Sequence, residues 1–158
     1  MEKTALFPGS FDPFTRGHKD LVDRGLQVFD RIVIGVGRNY SKQGLLSLEN
    51  KIKLIEDTFV DEPRVSVELY EELTVDFCKK RNIKFLLRGM RNAQDFEYER
   101  NMMQINNILD SELMTVMLFT EPKYEAISSS VVRELLAYNK DVAQFLPEGI
   151  DIVKYYRK

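Results

Sequence analysis

Two short runs constrain the fold more than anything else in this sequence: Ile32–Val36 (IVIGV) and Met114–Phe119 (MTVMLF) are almost continuously apolar. A strand with one wet face alternates with period two, so such runs indicate strands covered on both sides, as in a parallel sheet packed between helices. Shorter β-like runs recur at Thr4–Phe7, Arg64–Leu69 and Lys84–Leu87. Helical spacing fills the intervals. Leu48, Ile52, Ile55 and Phe59 share one face, Met102, Ile105 and Leu109 mark another, and further helices fit His18–Phe29, Val75–Arg81 and Ser129–Tyr138. Regular alternation with no internal repeat or linker predicts an α/β fold: a Rossmann-like, doubly wound, five-stranded parallel sheet with helices on both faces. The 158 residues suit a single domain over 1–158. The methionines at 102, 103, 114 and 117 are expected in its core.

Composition removes several function classes. Lys plus Arg total 23 against 25 acidic residues, a net charge of −2, which argues against a nucleic-acid partner bound through its phosphate backbone. No apolar run approaches the roughly 18 residues of a membrane helix, and MEKTALFPGS has no signal-peptide core, so no membrane partner and a cytoplasmic location are expected. The one cysteine, Cys78, has no partner for a disulfide or a zinc site and is expected to fill core.

In doubly wound sheets ligands bind beyond the carboxyl ends of the strands, so the loops there are the place to look for chemistry. The first loop, Pro8–His18 (PGSFDPFTRGH), runs from a strand into a helix and carries the chain's only histidine. A helix start offers unpaired N–H groups and partial positive charge, suited to a phosphate. A Gly-His pair elsewhere would be a turn with a surface histidine; position in the first βα loop favours the anion site. Two common nucleotide signatures are missing: Gly35-Val36-Gly37 meets Tyr40 where a dinucleotide fingerprint needs a third glycine, and there is no P-loop. The loop after the second strand carries Lys42, by itself an ordinary loop lysine. Arg88 and Arg91 flank the end of the fourth strand and can take phosphate bidentately. Glu97 and Glu99 read as solvated side chains, although Glu99 is close enough to the arginines to meet a sugar hydroxyl. Ser128-Ser129-Ser130 opens the last helix, where one serine suffices as a cap and three suggest a second anion site.

Taken in order on an α/β pattern, Pro8–His18, RGMRNAQDFEYE (88–99) and Ile127–Ser130 closely resemble the bacterial phosphopantetheine adenylyltransferases of the nucleotidyltransferase superfamily, over nearly the whole chain. The resemblance implies transfer of an adenylyl group from ATP to 4′-phosphopantetheine, giving dephospho-coenzyme A and pyrophosphate in the penultimate step of coenzyme A synthesis. It further implies Mg²⁺ carried with ATP, a homohexamer, and coenzyme A as a feedback ligand. By the same resemblance His18 stabilises the transition state, with Lys42, Arg91 and Ser129 also in the catalytic set. ATP would meet Ser10, Phe11, His18, Gly89, Met90, Arg91, Glu99, Tyr124, Glu125, Ala126, Ile127, Ser128, Ser129 and Ser130. Phosphopantetheine would meet Ser10, Lys42, Arg88 and, through the main chain, Thr74. Ser10 stands where many members carry threonine and keeps the hydroxyl.

The residue chemistry suits this reaction. A phosphomonoester with a second pKa of about 6 is already largely ionised at pH 7, so the nucleophile needs no general base. The loops accordingly offer donors and no His/Asp dyad. The rival readings are another small nucleotidyltransferase, for instance one acting on nicotinamide mononucleotide, and a non-catalytic nucleotide sensor on the same fold. A tRNA synthetase, which shares the Gly-His motif, is excluded by length and charge.

Overall fold

A computed structural model describes residues 1–38 and 44–156. Five strands, β1 (Thr4–Gly9), β2 (Arg31–Gly37), β3 (Val65–Tyr70), β4 (Phe85–Met90) and β5 (Met114–Phe119), alternate with five α-helices. These are α1 (Arg16–Gly25), α2 (Leu48–Thr58), α3 (Thr74–Arg81), α4 (Ala93–Leu109) and α5 (Ser129–Ala137). All strands pair in parallel in the order β3-β2-β1-β4-β5, so the α/β expectation holds. The order reverses between β1 and β4, and a crevice opens where their loops diverge. The loops after β1 and β4 are the ones richest in candidate residues.

Both faces of the central strands are covered. From β1, Ala5 and Phe7 join one core cluster and Leu6 the other; from β2, Ile32, Ile34 and Val36 lie on the first face and Val33 on the second. The larger cluster gathers Leu21 and Val22 of α1, Leu54 and Ile55 of α2 and Val132 of α5, and the smaller one Val75, Phe77 and Cys78 of α3. Cys78 is core, as expected, and burial pushes its thiol pKa up to about 12.

Strands β1 and β4 run on to Gly9 and Met90, past the ends expected at Phe7 and Leu87. Glycine and proline mark punctuation in a sequence, but here Pro8 and Gly9 pair in register with Gly35 and Val36. Three short 3₁₀ turns, Pro122–Tyr124, Ala143–Phe145 and Ile152–Lys154, carry no period long enough to read.

The outer part of the sheet departs from expectation. MTVMLF was expected to be covered on both faces, yet β5 is an edge strand, with Met114 60% and Phe119 74% exposed. Met102, Ile105 and Leu109, expected on a core-facing stripe, are 37%, 51% and 50% exposed. None of the four methionines is in the core: Met102 and Met103 line a cavity, Met114 is exposed and Met117 is half-buried. An apolar stripe shows that a face avoids water without showing what covers it. The only residue of α4 that is buried is Glu99.

Candidate active site

Thr15 caps α1 and is buried; its hydroxyl accepts the His18 N–H at 3.4 Å, while its own N–H donates to His18 Nδ1 at 2.9 Å. This is a capping box with histidine in the place usually taken by Glu or Gln. An N–H can only donate, so Nδ1 is the acceptor and the neutral ring carries its proton on Nε2. Phe11 and Phe14 pack on the imidazole with ring centroids 5.1 and 5.2 Å away. That burial, followed by the charges of Arg91 and Arg88, lowers the His18 pKa to about 4. His18 is therefore a neutral, pre-oriented donor at pH 7.

The displacement from 6.5 to about 4 has a consequence for stability. A folded pKa below the unfolded one makes the unfolded chain bind the extra proton, so the contribution is present above pH 6.5 and is lost as pH falls toward about 4. Between pH 7 and pH 5 the loss is expected to be about 2 kcal/mol. Urea unfolding of the native protein and of His18→Gln at both pH values checks this: the variant should lack that part of the slope. An identical pH dependence in the two proteins would refute it.

At the end of β4, Arg88 donates from Nε and Nη2 to the two oxygens of Glu99, at 2.8 and 2.6 Å, and from Nη1 to the Pro8 carbonyl at 2.8 Å. Glu99, expected as a solvated side chain, is only 6% exposed. Between the arginines, a Cβ at Gly89 would stand 2.3 Å from Leu21 Cδ1 of α1, so the buried Leu21 side chain would have to shift. Asp95 in the first turn of α4 accepts from both the N–H and Nε of Arg91, at 3.0 and 3.2 Å, and so orients it.

The three serines divide their work. Ser128 is the helix cap, accepting from the Val131 N–H; Ser129 donates its hydroxyl to the Pro13 carbonyl at 2.8 Å; Ser130 accepts from Arg133. Of the expected hydroxyl donors only that of Ser129 is thus engaged within the protein, and the Ser128 O–H remains with the backbone N–H groups at the start of α5 to meet an anion. The sequence reading missed Asp12. Its buried carboxylate accepts the Leu45 and Leu46 N–H groups at 2.8 and 2.9 Å with Lys51 Nζ 3.8 Å away, and its carbonyl accepts from Arg133. It ties the first loop to the chain entering α2 and to α5. The signal was present as a short acid within a Pro/Gly loop, but its partners lie more than thirty residues away.

Two cavities of about 370 and 380 Å³ meet at this point. Ser10, Phe11, His18, Gly89, Arg91, Ser128 and Ser129 line the first; Thr74, Tyr70, Met102, Met103 and Asn106 line the second. Ser10, Arg88 and Glu99 line both. The Phe11 ring is buried and packs on His18, so any ligand contact of this residue falls to its backbone, held at φ 44°. The Met90 side chain is buried, not a lining group. Tyr124 lines a different hollow with Arg16 and Pro147, and Glu125, Ala126, Ile127 and Ser130 line neither main cavity. Lys42 lies outside the described residues. Among the described residues no three His, Cys, Asp or Glu are gathered to hold a metal, and no helix is long and apolar enough to cross a membrane.

The cytidylyltransferase-like family model matches residues 6–135. The chain is 47% identical over 150 residues to a phosphopantetheine adenylyltransferase of Phocaeicola vulgatus, covering 95% of this chain and 99% of that one. It is 45% identical over 152 residues to the same enzyme of Flavobacterium johnsoniae, covering 96% and 99%. A bifunctional NMN adenylyltransferase/ADP ribose pyrophosphatase from Francisella tularensis, in a crystal structure with AMP and a manganese ion, superposes with a TM-score of 0.70 at 13% identity. That match covers 96% of this chain and 46% of the bifunctional protein, about half its length, and shows the shared fold. Near-full-length identity, the family match and a Gly-His helix start beside paired strand-end arginines agree, and the chain belongs to the phosphopantetheine adenylyltransferases, enzymes of the nucleotidyltransferase superfamily.

Proposed function

We propose that the protein joins ATP to 4′-phosphopantetheine by in-line attack of the acceptor phosphate on the ATP α-phosphate, releasing pyrophosphate and dephospho-coenzyme A. The observation that carries this reading is the pair of adjoining cavities sharing Ser10, Arg88 and Glu99. Two substrates need two sites whose reacting ends meet, and here the meeting place carries an arginine on the β4 side and a helix start on the β1 side. ATP occupies the His18 cavity and the acceptor the one lined by Thr74, Met102 and Asn106. The apolar Met side chains beside Asn106 suit a thin, amide-bearing arm.

His18 donates from Nε2 to the α-phosphate as charge builds there, and Arg91 and the α5 N-terminal N–H groups hold the remaining phosphates. The acceptor phosphate arrives ionised, and Arg88 orients it; catalysis rests on positioning and charge stabilisation, without a general base. Lys42 and the Tyr124–Ser130 segment complete the acceptor and ATP sides by family resemblance. Mg²⁺ fits as an ion carried on the triphosphate: the buried carboxylates Asp12 and Glu99 are engaged by N–H groups and Arg88, and the other lining groups are mainly anion-seeking donors. Bound there, it would neutralise triphosphate charge.

Coenzyme A, which contains the product's own groups, fits the same two cavities as a feedback ligand. A cytoplasmic location goes with this chemistry. The exposed apolar stripe of α4 and the β5 edge support assembly into a homohexamer. Sedimentation equilibrium is expected to give six times the 18.5 kDa chain mass, and a monomer at micromolar concentration would contradict the assembly.

A further inference from the structure

Glu99 is the single buried residue of the seventeen in α4, on a helix that this chain by itself leaves exposed at Ile105, Ile108 and Leu109. A helix that exposes aliphatic groups and buries a carboxylate has that carboxylate in place for a reason other than core packing. Its two oxygens take the Nε and Nη2 edge of Arg88, and Nη1 donates to Pro8. A guanidinium has five N–H donors, so one remains on each terminal nitrogen among these contacts. A phosphate can use that end-on pair; the side-on edge is closed to it.

We propose that Glu99 is a positioning residue for the acceptor: it clamps Arg88 by one edge so that the phosphate entering the Thr74–Asn106 cavity is received end-on, facing Ser10 and the His18 cavity. The inference rests on the two-substrate reading above and adds an acceptor-side positioning role to the ATP-side contact that family resemblance gives Glu99, which lines both cavities. With Glu99 replaced by glutamine, the amide –NH₂ faces donors it cannot accept from, and Arg88 is released from its clamp.

The test is a double-mutant cycle on the full-length protein, reading KM for each substrate by pyrophosphate release and affinity for 4′-phosphopantetheine and for ATP by calorimetry. Glu99→Gln is expected to raise the acceptor KM and Kd about tenfold, as for the loss of a charged hydrogen-bond arrangement, with a clearly smaller effect on ATP. Arg88→Lys, which keeps the charge without the fork, should do likewise, and the double variant should be no worse than the worse single one, because Glu99 acts through Arg88. A general structural role would weaken both ligands and multiply across the two variants. An ATP effect as large as the acceptor effect, or multiplicative losses, overturns the proposal. Should thermal melting show Glu99→Gln unfolded, Glu99→Asp, which keeps the charge but falls short of the fork, takes its place with the same expectation. Calorimetry needs no turnover, so a native protein that binds phosphopantetheine but transfers nothing to it defeats the functional reading while the clamp is still tested.

Discussion

His18→Ala is expected to lower kcat by about 10²-fold or more while the KM for ATP stays within about threefold. The imidazole is held from three directions: the capping box fixes its Nδ1 side, Phe11 and Phe14 fix the plane, and α1 fixes the Cα. With Nδ1 occupied, Nε2–H is the one donor this ring has to offer to the cavity it lines. Such a donor contributes most where charge develops during reaction and little where ATP merely rests, so its loss appears in kcat and not in binding. A neutral ring also has no imidazolium proton to lose near pH 6.5, so kcat should show no imidazole-dependent change between pH 6 and 8. Near-native turnover by a folded His18→Ala protein would remove His18 from the mechanism.

Arg88→Ala is expected to raise the acceptor KM by roughly 10- to 100-fold, the equivalent of one charged hydrogen-bond partner, and to affect ATP much less. It carries a second cost, since Glu99 loses its partner at 6% exposure. Removing one member of a buried pair typically costs about 3 kcal/mol or more, unless the orphaned carboxyl takes up a proton. Stability at pH 7 should therefore fall relative to the native protein, which denaturant unfolding of the two proteins at that pH measures. Equal weakening of ATP and acceptor would contradict the division of the two cavities.

Much of the sheet was legible in the sequence because buried strands announce themselves by local composition. IVIGV needs only its own residues to read as a covered strand. The site loops were legible for a related reason: Pro8–His18 and Arg88–Arg91 stand at strand ends, and strand ends of such sheets are where ligands bind. What the sequence left obscure depends on partners distant along the chain. Glu99 reads as a solvated glutamate until Arg88 is seen to reach it across eleven residues, and Asp12 reads as a turn residue until Leu45 and Leu46 arrive. The serines at 128–130 suggested hydroxyl donors, whereas Ser129 already donates to Pro13, a partner more than a hundred residues away. Met102 and Ile105 showed an apolar period that the described residues of this chain leave exposed.

The most direct measurement is pyrophosphate release from ATP and Mg²⁺ with 4′-phosphopantetheine, nicotinamide mononucleotide or no acceptor, with the adenylylated product identified by mass. Release only with phosphopantetheine, together with dephospho-coenzyme A, is the predicted result. Release with nicotinamide mononucleotide instead, or ATP binding with no release toward any acceptor, would contradict the account and favour a different transferase or a nucleotide sensor on the same fold.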